Sequence, residues 1–243
     1  FNNTALGMQA LTTLTNASEN TALGNMSMQS ATTAYENVAV GSNSLYTITT
    51  GANNTALGHN ALYTNNASSC TAVGKDALKL NTTGANNTAV GANCAEDITT
   101  GSKNTAVGKS ALAALTTGNE NTAVGESALL AATTGYNNVA IGFVAGYAIT
   151  TGNSNVCVGE SALASCQTGY QNVAIGHLAL SQYTGSANVA VGNQALEDCT
   201  TGSSNCCVGH DAGRDITTGS NNTAVGHAAL DILSTGNYCT AIG

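Results

Sequence analysis

A glycine recurs at a nearly constant spacing along this chain, and each copy follows a short apolar segment. Fourteen intervals separate fifteen such glycines, and every interval is 17 residues except two of 16. Repeats of fixed period are typical of solenoids, in which each repeat forms one coil and buries its apolar residues by stacking on its neighbours. We call these residues the anchor glycines: Gly7, Gly24, Gly41, Gly58, Gly74, Gly91, Gly108, Gly125, Gly142, Gly159, Gly176, Gly192, Gly209, Gly226 and Gly243.

The repeat predicts an all-β fold, a parallel β-solenoid (β-roll or β-helix) of about fifteen 17-residue coils. Written from one anchor to the next, the coil is G-x-x-A-L-x-x-x-T-T-G-x-x-N-T-A-V, as in residues 108–124. Both chain ends fall inside a coil, so we expect residues 1–243 to be a single repetitive segment and a fragment of a longer fibre. A column, below, is the set of residues that hold the same position in successive coils.

The three residues before each anchor indicate a short strand. The third is always Val, Leu or Ile, which predicts that it faces a dry interior. The middle one is Ala except at Cys157 and Cys207, and it is never large or polar. Because side chains alternate between the two faces of a strand, this pattern predicts that both faces are buried. One coil is too short to cover both, so we expect a second copy of the chain to pack on the Ala column.

The rest of the coil predicts a second apolar segment and a turn. Ala111, Leu112 and Leu115 are typical of that segment, and the Thr-Thr-Gly that follows predicts a tight turn in which Gly supplies backbone freedom. Asn precedes the strand in thirteen of fifteen coils. Stacked amide side chains can hydrogen-bond from coil to coil, so this column predicts a ladder that fixes the register.

Composition excludes several classes of function. Only 7% of the residues are charged, but 42% are hydrophobic, which disfavours disorder. A net charge of −8 with five basic residues leaves no stripe to neutralise a phosphate backbone, so we expect no nucleic-acid partner. No apolar run approaches the ~20 residues that cross a bilayer, so we expect no membrane insertion.

The strand motif resembles a known family of repeats. Asn104–Gly108 and Asn172–Gly176 resemble the N-S-V-A-I-G repeats of trimeric autotransporter adhesin heads. The longer unit, N-T-A-V-G-x-x-A-L-x-x-x-T-T-G, is similar to the shafts of phage-type tail fibres and bacterial surface proteins. The resemblance implies a homo-oligomer, as a trimer or a laterally or axially packed filament. It also implies attachment or spacing outside the cell, at the cell surface or on a virion.

All four histidines occupy the column directly after the anchor: His59, His177, His210 and His227. His210 and His227 lie on adjacent coils and are the only candidates for a metal site. The column otherwise holds residues such as Lys75 and Glu126, which favours an ordinary solvent-facing position. We therefore expect no bound metal and no cofactor.

The eight cysteines lack C-x-x-C spacing, and several replace small residues in apolar columns. They are expected to be free, buried thiols, with a disulfide between chains or between neighbouring columns as the alternative. Eight N-x-S/T sequons are candidate glycosylation sites: Asn2, Asn16, Asn25, Asn53, Asn66, Asn81, Asn86 and Asn221.

No set of acids, bases and nucleophiles is brought together by the repeat, so we expect the chain not to be an enzyme. The favoured function is a structural fibre or adhesin shaft that self-associates. One alternative is an ice-binding β-solenoid that uses arrays of paired turn threonines such as Thr99 and Thr100. Another is a surface module that binds glycans, although eight Tyr, two Phe and no Trp give few stacking groups.

Overall fold

The computed structural model describes residues 2–243, which contain fifteen three-residue strands and no helix. The predicted all-β parallel solenoid is therefore confirmed, with strands that recur about every 17 residues. The chain divides into two compact units, Phe1–Glu120 and Asn121–Gly243. Unit 1 contains β1 (Thr4–Leu6), β2 (Thr21–Leu23), β3 (Val38–Val40), β4 (Thr55–Leu57), β5 (Thr71–Val73), β6 (Thr88–Val90) and β7 (Thr105–Val107). Unit 2 contains β8 (Thr122–Val124), β9 (Val139–Ile141), β10 (Val156–Val158), β11 (Val173–Ile175), β12 (Val189–Val191), β13 (Cys206–Val208), β14 (Thr223–Val225) and β15 (Thr240–Ile242).

Within each unit the strands pair in parallel, in chain order and in register. In unit 1 Ala5 pairs with Ala22, and in unit 2 Ala174 pairs with Ala190. The register places like residues side by side, so every column of the sequence becomes a row in space. The nearest neighbours of a side chain along the sheet are therefore the residues of the same column on the two adjacent strands.

The corners of each coil rely on left-handed backbone conformations. Anchor glycines have φ between +126° and +144°, a region that L side chains rarely adopt. At Gly74, with φ +134°, a Cβ atom would also meet the carbonyl oxygen of Gly91 on the next coil at 2.4 Å. Each anchor position thus requires a positive φ, and at Gly74 there is also no room for a Cβ atom beside the next coil. These two constraints explain why the column contains only glycine.

The glycine of the Thr-Thr-Gly turn has a different role from the one predicted. Gly84 and Gly101 lie outside the left-handed region, so backbone freedom is not what the turn requires. A Cβ on Gly84 would instead meet the Gly101 carbonyl oxygen at 2.1 Å. Where Ala17 and Ala34 replace this glycine, residues of the next column form additional parallel bridges, Ser18 with Tyr35 and Tyr35 with Ala52.

The strand faces are oriented opposite to the prediction. The middle Ala points into the coil, as at Ala56, which is 0% exposed, whereas Leu57 is 47% exposed. The expectation that the Val, Leu or Ile column faces the interior is therefore wrong. So is the argument that a second copy must cover the Ala column, because the chain's own interior buries it.

The interior explains why the middle column stays small. A Cβ built on Gly146 would lie 3.0 Å from Leu129 Cδ2, 3.1 Å from Ile149 Cδ1 and 3.5 Å from Cys157 Sγ. The Leu column, the aliphatic column and the middle strand column therefore converge on one narrow core. Leucine and isoleucine from the opposite wall fill that space and leave room only for Ala or Cys on the strand.

The buried asparagines form the predicted ladder within each unit. Asn155 donates from its backbone N to Asn138 Oδ1 at 3.0 Å and from Nδ2 to the same oxygen at 3.1 Å. Its Nδ2 also donates to the carbonyl of Gly169 at 2.9 Å. The ladder thus ties the strand, the turn and the neighbouring coil together through groups that would otherwise be buried without partners.

Candidate functional surfaces

The outer face of the sheet is an extended uncharged surface in each unit. It consists of the first and third residue of every strand, which flank the buried middle residue. None of the fifteen described strands contains a charged residue. The third residues include exposed aliphatic side chains in both units: Leu6, Leu23, Leu57, Val90, Val107, Ile141, Ile175, Val208, Val225 and Ile242.

The outer faces of the two units differ in chemistry. In unit 1 the first residue is Thr in six of seven strands, with Val38 as the exception. In unit 2 four consecutive strands, β9 to β12, begin with Val. The outer face of unit 1 is therefore a row of hydroxyls beside a row of aliphatics, and that of unit 2 is aliphatic on both rows over those strands.

In the paired turn threonines, the basis of the predicted ice-binding array, the first threonine engages the backbone of the next coil. Thr99 Oγ1 donates to the Thr116 carbonyl at 3.1 Å, and Thr150 Oγ1 donates to the Gln167 carbonyl at 3.0 Å. The same bond recurs at Thr217, to Ser234 O at 3.0 Å. These hydroxyls support the stack, which leaves the first threonine of each pair less available to an external ligand.

The structure brings His210 and His227 together, as the repeat predicts. Their rings stack with centroids 5.2 Å apart and planes 16° from parallel. Asp211, which sequence reasoning did not include, lies beside them, with Oδ2 2.8 Å from His210 Nδ1. His59 and His177 are exposed in the same column but are not part of this cluster.

An ionic network continues from this cluster. Arg214 Nη1 lies 3.7 Å from Asp211 Oδ1, its Nε lies 3.2 Å from Asp215 Oδ1, and its Nη2 lies 3.4 Å from Asp231 Oδ1. Three carboxylates around one guanidinium leave a local formal charge of −2. This corner of unit 2 is therefore attractive to cations.

The cysteines are free, as predicted, and six of the eight are buried. Burial raises the pKa of Cys94, Cys199 and Cys207 to about 12. It also raises the pKa of Cys157, with a smaller contribution from Cys166. Thiols held in this neutral form are packing groups, not nucleophiles.

The sequon asparagines differ in accessibility. Asn81 is fully buried and donates to Asn65 Oδ1 at 2.6 Å and to the Gly84 carbonyl at 2.9 Å, so the folded chain does not offer it for glycosylation. Asn25 is half-buried. The other candidates are exposed: Asn2, Asn16, Asn53, Asn66, Asn86 and Asn221.

Aromatic side chains are distributed over several faces. Tyr46 and Tyr63, in one column of unit 1, stack with centroids 5.0 Å apart and planes 5° from parallel. Tyr136 and Tyr170 are exposed in another column of unit 2, two coils apart. Stacking within a column occupies ring faces that a sugar would need.

No protein-family model matches this chain, and no curated protein matches it either. Among residues 2–243 there is no helix that is long and apolar enough to cross a membrane.

Proposed function

We propose that this chain is a structural segment that associates with further copies of itself through the outer face of unit 2. The observation that carries the proposal is the pair of aliphatic rows on β9 to β12, which is uncharged and in part open to solvent. Ile141 is 41% exposed and Ile175 is 38% exposed. Aliphatic rows of this kind lose free energy when they are removed from water.

A second copy is the partner that matches these rows. Strands in a sheet lie about 4.8 Å apart, so the aliphatic side chains repeat at that distance along the face. Only a partner with the same repeat keeps its side chains in register over many coils, and another copy of this chain has that repeat. The net charge of −8 opposes association elsewhere on the surface, which favours contact through the uncharged face.

The size of the face sets the strength of the contact. Eight three-residue strands at about 4.8 Å spacing give a face of roughly 340 Å². A standard stable interface buries about 800 Å² per partner. We therefore expect weak, concentration-dependent association that becomes stable through repetition in a fibre.

Charge placed on the face tests this proposal. Val173→Lys combined with Val189→Lys should abolish association at concentrations where the wild type associates, as measured by sedimentation velocity and light scattering. The matched control, His177→Lys with Asn193→Lys, adds the same two charges beside the same two strands, in the column after the anchor where Lys75 and Lys109 occur naturally. A wild-type chain that remains monomeric at millimolar concentration, or a control that dissociates equally, contradicts the proposal.

Ice binding is the second candidate, and the face of unit 1 favours it over the turns. Six of the seven strands present Thr beside an aliphatic side chain at the regular strand spacing. Such a row can order hydroxyls and methyl groups on one plane. Thermal hysteresis measured on a cold stage tests this candidate.

Substitutions in the strand threonines and in the turn threonines show which of the two rows binds ice. Thr71→Lys with Thr88→Lys should remove hysteresis, whereas Thr82→Ser with Thr99→Ser, in the turns that follow those two strands, should not. Absence of hysteresis in the wild type ends the ice-binding candidate and leaves self-association untouched, because the two activities use different faces.

A further inference from the structure

We propose that His210, Asp211 and His227 form a binding site for a divalent transition metal of the zinc class, which links two adjacent coils of unit 2. The three residues offer ligand atoms that all lie within 4.8 Å of one another. Imidazole nitrogens and a carboxylate oxygen are ligands that zinc accepts. The proposal is independent of self-association, because the histidines lie outside the strands.

The repeat itself creates the pair of histidines. His210 and His227 hold the position after the anchor on consecutive coils, and the ladder places their rings 5.2 Å apart. His59 and His177 hold the same position, but the coils on either side carry Ser42 and Lys75, or Glu160 and Asn193. Only one pair of adjacent coils therefore presents two imidazoles together.

Asp211 completes the set from the neighbouring column. Its Oδ2 lies 2.8 Å from His210 Nδ1, and its backbone is held in the left-handed conformation with φ 56°. Its Oδ1 is buried without a hydrogen bond, and its nearest charged partner is Arg214 Nη1 at 3.7 Å. A carboxylate that is fixed in place and only partly satisfied is ready to accept a cation.

The distances require only small adjustments. With metal–ligand bonds of about 2.0–2.2 Å, neighbouring ligand atoms of a tetrahedral site lie about 3.4 Å apart. The separations here, from 2.8 Å to at most 4.8 Å, bracket that value. Both imidazoles are exposed, so rotation of their side chains can close the larger gap without moving the backbone. Water completes the coordination.

The local charge favours a cation at this site. Asp211, Asp215 and Asp231 surround the single guanidinium of Arg214, which leaves a net negative corner beside the two imidazole rings. A metal bound to His210, Asp211 and His227 joins the coil of His210 to the coil of His227. We expect it to slow local opening of both coils, because it binds their folded form only.

Titration of the tag-free chain with Zn²⁺, followed by calorimetry, tests the proposal. All proteins carry Cys206→Thr and Cys239→Asn, which restore the commonest residues of their columns and remove the two partly exposed thiols. We expect one strong site per chain. His227→Ala, His227→Gln and Asp211→Asn should each weaken it by at least ~10-fold. His59→Ala and His177→Ala are the matched controls and should leave the affinity unchanged.

Hydrogen exchange provides a readout that does not depend on affinity alone. Zn²⁺ should slow amide exchange in residues 209–230 of the parent protein and not in His227→Ala. The proposal is overturned if Zn²⁺ does not bind below ~100 μM, if the His59 and His177 controls lose as much affinity as His227→Ala, or if Asp211→Asn binds like the parent. Circular dichroism of each variant excludes loss of fold as the cause.

Discussion

The asparagine that precedes thirteen of the fifteen strands is heavily hydrogen-bonded. Asn138 donates from Nδ2 to Asn121 Oδ1 at 3.2 Å and to the Gly152 carbonyl at 2.8 Å. Its Oδ1 accepts from the backbone N and Nδ2 of Asn155 at 3.0 and 3.1 Å. All of these groups are buried, so removing the amide leaves donors and acceptors that water cannot reach.

We therefore expect Asn138→Ala to lower the free energy of unfolding by roughly 3–5 kcal/mol, because at least two buried backbone groups lose their partners. Asn138→Cys should cost less, since Cys70 occupies this column and its Sγ lies 3.3 Å from the Gly84 carbonyl. Urea unfolding followed by circular dichroism measures both. Asn153→Ala, a partly exposed position in the next coil, is the control and should change stability by less than about 0.5 kcal/mol.

Thiol accessibility gives a second prediction for individual residues. Six cysteines are buried and two, Cys206 and Cys239, are partly exposed. Under native conditions at pH 8 a disulfide reagent should modify two thiols per chain quickly, and all eight after unfolding. Peptide mapping should place the fast label on Cys206 and Cys239. Rapid native labelling of Cys157 or Cys207 would contradict the burial of the middle strand column.

The period of the sequence predicted the coil, the parallel register and the Asn ladder, because each depends on which residues share a column. The direction in which strand side chains point was predicted wrongly. A column of Ala is compatible with a covered outer face and with a crowded interior, and composition alone does not separate the two. The distinction depends on Leu129 and Ile149, whose side chains reach the strand from the opposite wall.

At the scale of one coil, the two 16-residue intervals show how a shorter turn is accommodated. Both lack one residue of the Thr-Thr-Gly turn, and both have a residue with a polar end group, Asn65 or Tyr183, in place of the aliphatic core residue before it. Tyr183 is fully buried and donates from Oη to the Ser186 carbonyl at 3.0 Å. Asn65 donates from Nδ2 to the Ala67 carbonyl at 3.1 Å. In both coils the side chain thus supplies a hydrogen-bond donor to a carbonyl of the shortened turn.

Turn length and core residue should therefore be energetically coupled. Tyr183→Ile alone leaves the Ser186 carbonyl without its donor, and insertion of one Thr after Thr184 alone forces Tyr183 against a longer turn. We expect each change to destabilise by about 1–3 kcal/mol and the combination, which restores the common coil, to recover most of the loss. A double-mutant cycle from urea midpoints measures the coupling. Strictly additive effects would contradict it.

The candidate sites were only partly visible in the sequence. The column spacing predicted that His210 and His227 lie close together. Asp211 became a third ligand candidate only because the structure places its carboxylate beside His210. The outer face of the sheet was missed because its residues were assigned to the core. A usable signal existed: the first strand column holds Thr in nine of fifteen strands, which is unusual for a dry interior.

At the scale of the whole molecule, stability should depend on pH mainly at the alkaline end. Burial raises the pKa of Cys94, Cys199 and Cys207 to about 12, above the ordinary value of 9.0. Below pH 9 these thiols are protonated in both folded and unfolded chains, so their contribution is constant. Between pH 9 and 12 only the unfolded chain releases the protons, and stability falls as pH rises.

Substitution of particular thiols measures how much each contributes to the loss of stability above pH 9. One pH unit above the unfolded pKa, each buried thiol accounts for about 1.4 kcal/mol. Cys94→Ala, Cys157→Ala and Cys207→Ala each restore the commonest residue of their column, so together they should preserve the fold. The triple variant should lose about 4 kcal/mol less than the wild type between pH 8 and pH 10. Urea unfolding in reducing buffer at both pH values measures the difference. If stability falls equally with pH in the wild type and the triple variant, these thiols titrate alike in the folded and unfolded chains. That result would contradict a dry core between the strand and the Leu and Ile side chains that face it.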